Sequence, residues 1–212
     1  LLPAELTDKI RNNAVSEGFF TVYLGLNLPN EQLESHLHIP HVMYFDDKPG
    51  VDIHNSNDPD FFDKTSVVLY SPSVMNPSLA PAEKSTLMLQ AVAPYRWMNN
   101  WGAGDRAKYR ELKEKAKNAI LEKASAIIPD LTKYIELEDA ATPLTYERYT
   151  HNTDGATSAW SWNPANKFHK KFTSTYVETP VRNLLIGSCW ANQIGGVPGA
   201  IGAAYKCVKK IG

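Results

Sequence analysis

The residues with the most chemical content lie near the C-terminus, in the string NLLIGSCWANQIGGVPGAIGAA from Asn183 to Ala204. An apolar run, Asn183 to Gly187, reads as a short buried strand that ends in Gly187 and Ser188. After a loop, Gly195, Gly196, Val197, Pro198 and Gly199 open a segment of small residues. Gly195, Gly196 and Gly199 have no Cβ, so the backbone there can approach a flat ligand closely. Pro198 suits the first turn of a helix, where no N–H is needed. A helix starting here turns its free N–H groups and positive dipole end towards whatever lies in front of it, an arrangement that stabilises negative charge. Ser188 can donate or accept a hydrogen bond at the mouth of the same loop. Ala200, Gly202, Ala203 and Ala204 keep the helix thin enough to pack closely on a sheet. A glycine turn before an ordinary packed helix has the same composition, and the glycines alone do not separate the two.

Other reactive side chains are thinly spread. Of the six histidines, His36, His38 and His41 are the densest group. Pro40 breaks their spacing and no carboxylate stands at a matching interval, so no metal site is expected. His54, His151 and His169 stand apart. Cys189 and Cys207 are too few for a disulfide framework and have no partner at metal-ligand spacing, so they read as reduced thiols of a cytoplasmic protein. Trp162 is expected in a core, whereas Trp160 and Trp190 suit either a core or a ligand wall. Tyr146, Glu147 and Arg148 form a candidate internal polar set. No catalytic acid or base is demanded by the pattern, and none is assigned.

The elements that must position these residues follow from periodicity. Pro3–Asn12 and Asn30–His36 read as short helices, Phe19–Leu26, Ile39–Phe45 and Ser66–Ser71 as strands, and Ser85–Ala93 as a central strand. Pro40 puts the second strand at an edge. Asp46–Asp63 reads as loop and Pro72–Pro81 as a turn region. Asp105 caps a long helix to Ile128, with Tyr109, Leu112, Ala116, Ile120, Ala124 and Ile127 on one face. Leu131–Ala140 is expected as a fifth strand and Val197–Lys210 as the last helix. The expected fold class is α+β: a mixed sheet with one long helix, then a strand–loop–helix of a different kind.

Composition excludes several functions. With 212 residues and a formal net charge of −1, the chain lacks the basic excess of a nucleic-acid binder. No apolar run reaches the roughly 20 residues of a membrane-spanning helix. The start, Leu1-Leu2-Pro3-Ala4-Glu5, turns polar at once and does not read as a signal peptide; opening on Leu, it reads as a piece of a longer protein.

Thr179 to Gly187 and Gly195 to Ala200 closely resemble the C-terminal flavin motif of the phytoene desaturase, carotenoid isomerase and retinol saturase family of FAD-dependent oxidoreductases. Ala141 to Tyr149 with Gly155-Ala156, and Pro77 to Pro81 ahead of Ser85–Ala93, look like the same family in the same order. The resemblance implies that residues 1–140 form a substrate-type domain. Residues 141–212 would return to the flavin domain and supply the last strand and helix of a Rossmann-like FAD fold. It implies FAD in the full-length parent, contacted by Gly187, Ser188, Gly195, Gly196, Val197, Pro198 and Gly199. The implied substrate is an apolar, isoprenoid-like molecule such as a carotenoid, whose carbon–carbon double bonds are desaturated, saturated or isomerised. Beside the family-like Tyr149, His151 is a better candidate than the other histidines to lie near the implied flavin, but a surface loop is the preferred reading for it.

Two departures qualify the resemblance. The glycine fingerprint of a dinucleotide site is missing: Gly102-Ala103-Gly104-Asp105 follows Arg96–Trp101, which is not a β-branched strand, and reads as a turn and helix cap. The chain is therefore expected to be an inactive, colourless fragment, or to have lost flavin binding. At Ser188, many flavoproteins of this arrangement carry an acidic residue. An amine-oxidase-like flavoenzyme and a non-catalytic apolar-ligand or partner-binding domain stay open as alternatives. Peripheral membrane contact and self-association through an unpaired Asn183–Gly187 strand are further expectations.

Overall fold

Every second side chain from Ser85 to Ala93 is buried, the period of a strand with one covered face. The computed structural model describes residues 2–45, 52–53, 55–163 and 167–212. His54 and residues 46–51 of the expected Asp46–Asp63 loop lie outside the described residues. In chain order the elements are α1 (Ala4–Asn12), β1 (Gly18–Leu26), α2 (Asn30–Leu37), β2 (His41–Tyr44), α3 (Phe61–Lys64), β3 (Val67–Tyr70), α4 (Pro72–Met75) and β4 (Ser85–Ala93). They continue as α5 (Trp97–Ala103), α6 (Arg106–Ser125), α7 (Leu131–Tyr134), β5 (Ile135–Ala141), α8 (Pro143–Thr150) and α9 (Gly196–Ile211). The chain divides into two compact units, Gly18–Thr145 and Leu1–Glu17 with Tyr146–Gly212.

The first unit is built on a five-stranded sheet in the order β2-β3-β4-β1-β5. Each neighbouring pair is antiparallel, so the expectation of a mixed sheet is corrected. An antiparallel sheet can leave one face uncovered, which a parallel sheet rarely does. On the covered face, Val22, Leu24, Leu87 and Leu89 share a core with Leu112, Ala116, Ile120 and Ala124 of α6. Asp105 caps α6 by accepting from the Ala107 and Lys108 amides at 2.8 and 3.1 Å. The opposite face is only partly buried. There Tyr23 pairs with Met88, and Met88 with Tyr70, while Met43 lies opposite Val68. Gln90 donates to the Thr21 hydroxyl across the sheet at 3.2 Å.

The segment α5 has no counterpart in the periodicity. Met98, Asn99, Asn100, Trp101 and Gly102 carry φ of 45°, 58°, 54°, 57° and 98°, a left-handed turn. Such a turn costs L-residues about 1–2 kcal/mol each, least for Asn and Gly. Its effect is to bury Trp97 and Trp101 together, four residues apart. Trp101 stacks on Phe20 at 5.7 Å, and Trp97 meets Phe62 edge-on at 4.9 Å. Both indole N–H groups are bonded, to the Asp58 and Pro94 carbonyls. Two satisfied, fully buried indoles, each removing about 150–250 Å² from water, offset the strain.

Three further expectations change. Leu131–Ala140 begins as a helical turn, and only Ile135–Ala141 is strand, because Asp130 enters the left-handed region. Phe61–Lys64 is helical where loop was expected, and Pro72–Met75 forms a turn of helix. Asn183–Gly187 is not a strand: it makes a single bridge, Leu185 to Glu178, and Asn183 has φ 63°. A left-handed residue at its start turns the backbone out of the extended conformation that pairing needs.

The second unit holds small clusters rather than one core. Ala159, Trp160 and Phe168 pack with Leu6, and Val177, Ala191 and Ala203 pack with Ile186. Helix α9 buries only Gly199 and Ala203. Its opposite face presents Val197, Ile201, Tyr205, Val208 and Ile211, which are 61–80% exposed. No helix among the described residues is long and apolar enough to cross a membrane.

The left-handed turn inverts an ordinary ranking. In a right-handed helix, glycine is about 0.5–1 kcal/mol less stable than alanine. At position 100 the order reverses: Asn100→Gly leaves stability unchanged or raised, and Asn100→Ala falls below it by about 1 kcal/mol. Urea unfolding of the two variants measures this, and alanine above glycine would refute the left-handed turn.

Candidate functional site

The start of α9 is built by its glycines and one buried amide. Gly195 has φ 62° and ψ −149°, a region open only to glycine. A Cβ at Gly195 would lie 1.6 Å from the Ser158 carbonyl oxygen. One at Gly199 would lie 2.8 Å from both side-chain heteroatoms of Asn192. Asn192, almost fully buried, accepts from the Gly195 amide at 2.6 Å and so fixes the residue that precedes the helix, while no side chain caps the first-turn amides. Gly195 and Gly199 thus lie against their own chain. A Cβ at Gly187 or Gly196 would meet nothing nearer than 3.7 Å, the distance to the Cys207 sulfur and to Pro198 Cδ respectively. Val197 and Pro198 face solvent, and Ser188 is half-buried. The open end of α9 therefore carries the Gly196 and Val197 amides, with Pro198 needing none.

A second buried amide holds the loops behind it. Gln193 accepts from the Phe168 and His169 amides at 2.9 and 3.1 Å and donates to the Ser161 carbonyl. His169 stacks on Tyr176 at 5.1 Å, and its Nε2 is 2.9 Å from the Trp190 carbonyl. A carbonyl only accepts, so Nε2 carries the proton. Burial pushes the His169 pKa below its ordinary 6.5; the Trp190 carbonyl opposes this and Lys9 adds to it. Burial likewise raises the Cys189 thiol. Asn192 and Gln193 were not singled out by composition or periodicity. Their only signal is position, two amides shortly before a glycine pair.

Beside these loops, within the same unit, is a cavity of about 970 Å³. Trp160, Phe168, Trp190, Leu185 and Ile186 form apolar wall, and Lys9, Arg11 and Lys170 bring positive charge to it. Trp160 and Phe168 are stacked at 3.9 Å, and Trp160 donates to the Trp190 carbonyl at 3.0 Å. Trp160 and Trp190 so belong to a cluster and a wall at once. Trp162, expected in a core, is 55% exposed: its indole donates to the Ile194 carbonyl at the surface. His151 is exposed and also lines the cavity. Glu147 accepts from the Asp154 amide at 3.3 Å, and Arg148 lies over the ring of exposed Tyr149. Among the described residues no three of His, Cys, Asp and Glu are grouped to hold a metal ion.

No family model matches the chain. Over 130 residues it is 31% identical to the all-trans-retinol 13,14-reductase of Danio rerio, a stretch covering 58% of this chain and 21% of that protein. The chain thus spans about a fifth of the length of this curated relative. An oxidoreductase of Methanosarcina mazei, solved by crystallography, aligns with a TM-score of 0.49 and 14% identity over 96% of this chain and 36% of that one.

Two measurements test the geometry. Gly195→Ala forces a side chain into the Ser158 carbonyl and is expected to lose amide protection across residues 158–199, with strain alone on the order of 1–3 kcal/mol. Gly196→Ala, with φ 63° but open space, is expected to lose less. Equal protection in both variants would remove the Ser158 contact from the site. His169 provides the second test. Its depressed pKa makes its contribution complete above pH 6.5 and lost as pH falls below that value through the folded-state pKa. Wild-type thermal stability between pH 7 and pH 5 should therefore fall more steeply than that of His169→Gln, which keeps a donor but does not titrate; parallel slopes would sink this assignment.

Proposed function

We propose that this chain is the C-terminal part of a flavin-dependent oxidoreductase acting on carbon–carbon double bonds of an apolar, isoprenoid-like substrate, with FAD bound by the full-length protein. The observation that carries the reading is the 31% identity to a retinol 13,14-reductase, whose name describes reduction of one double bond in all-trans-retinol. Two features of the fold support it. The open sheet face with Tyr23, Met88, Tyr70 and Met43 is an apolar and aromatic surface suited to a polyene. The open start of α9 offers unshielded amides and a positive dipole end to an anionic ring edge.

The residues at that start fit a flat group in part. Gly187 and Gly196 leave room for close approach, and Val197, Pro198 and Ser188 are accessible beside them. Gly195 and Gly199 shape the turn from behind through Ser158 and Asn192. When bound, the flavin supplies the hydride chemistry. The chain's own share is to orient the ring against α9 and to keep water from an apolar substrate. On this reading residues 1–140 are the substrate-type part and residues 141–212 the return to the flavin domain. The apolar face of α9, from Val197 to Ile211, is then covered by the nucleotide-binding part of the longer protein.

The reading is tested by colour and by turnover. The full-length protein is expected to be yellow, with stoichiometric flavin, and its anaerobically reduced form to be reoxidised by all-trans-retinol or a related polyene. The 212-residue chain alone is expected to be colourless. A colourless full-length protein would overturn the proposal, and stoichiometric flavin in the chain alone would overturn its division between two parts.

A further inference from the structure

We propose that the 970 Å³ cavity of the unit formed by Leu1–Glu17 and Tyr146–Gly212 is a binding site for a monomeric amphipathic carboxylate with a long apolar body. The proposal goes beyond the flavin reading and does not depend on it. The cavity's size is at the upper end of small-molecule pockets, which run from about 300 to 1,000 Å³. Its inner wall is aromatic and aliphatic, from the stacked Trp160 and Phe168 to Leu185 and Ile186. Its rim is apolar too: Leu2, Ile10 and Leu184 are 39–45% exposed although they line a concavity. A ligand body lying along this wall removes that surface from water.

Charge selects the head group. Lys9, Arg11 and Lys170 line the cavity, against one acid, Glu178, which is already held by Lys210 at 2.8 Å. Arg11 and Lys170 make no ion pair among the described residues. The Lys9 ammonium lies 4.5 Å above the Phe168 ring, so a cation stands at the junction of apolar wall and mouth. Burial disfavours a charge on His169, so the positive excess of the lining comes from Lys9, Arg11 and Lys170. A neutral apolar ligand has no use for that excess, and a small anion has none for the wall. A carboxylate on a long chain uses both, with Arg11 able to bind its two oxygens side by side.

Tryptophan fluorescence reads the site, since Trp160 and Trp190 line the cavity while Trp97 and Trp101 are sealed in the core of the other unit. Oleate, kept below micelle formation, is expected to saturate at one molecule per chain. Oleyl alcohol and acetate should each bind at least about ten-fold more weakly, the ratio a single charged contact commonly supplies. Lys9→Gln combined with Arg11→Gln, both exposed on α1, should leave the melting temperature unchanged and reduce oleate affinity to that of the alcohol. Equal binding of oleate and the alcohol would overturn the proposal, as would no saturable binding, a response only to lipid vesicles, or a double variant that keeps the preference for oleate.

Discussion

The contact between Gly195 and the Ser158 carbonyl leaves no space for a side chain, and the second unit is arranged around it. Because the backbone of residue 195 touches residue 158, the residues on either side are fixed in turn. Ser158 is followed by Ala159, whose carbonyl accepts from the Ser16 amide at 2.8 Å, and by Trp160, bridged to Val15. Gly195 is preceded by Gln193, which clasps Phe168, His169 and Ser161. One close approach thus brings the start of α9, the aromatic wall and the chain leading out of α1 into a single set of backbone contacts. The cluster cores here are small, so backbone bonding and two buried amides carry positioning that a large apolar core would otherwise supply.

Glycine has two uses in such a segment, and they are physically distinct. At Gly196 and Gly187 the missing side chain leaves open space, which a flat ligand can occupy. At Gly195 and Gly199 the space is already taken by Ser158 and Asn192. Both uses give the same letters in a sequence. For Gly195 the difference arises from a residue far back in the chain, and only the folded backbone brings the two together.

The strands and α6 were legible because their signals are local. Alternation in Ser85–Ala93 and the recurrence of Leu112, Ala116, Ile120 and Ala124 each arise from one buried face, and tertiary packing agrees with both. The left-handed α5 was not legible, because its backbone is strained and is stabilised by where Trp97 and Trp101 end up rather than by any propensity. Asn183–Gly187 failed in the opposite sense. Its apolar composition is that of a strand, but composition supplies no pairing partner, and the segment makes one bridge only. At the candidate site, the exposed glycines and Pro198 could be named from the string, whereas Asn192 and Gln193 could not, since buried amides are recognised by what they bond.

Helix α9 is unequally packed on its two sides. Gly199 and Ala203 are its buried residues, yet five large apolar side chains occupy the other face. Fully burying each would contribute about 1.5–3 kcal/mol, more per side chain than the small residues of the covered face supply. The small residues allow close approach on one side, and the large ones leave an exposed apolar stripe on the other. An exposed helix with this pattern is stabilised by whatever covers it, so the rigidity of its first turn is coupled to that cover. Since the open amides of Gly196 and Val197 belong to that same turn, any ligand they hold is bound more firmly when the outer face is packed than when it is bare. On the proposed flavin reading, binding at the start of α9 and packing along its length are then thermodynamically linked, and each strengthens the other.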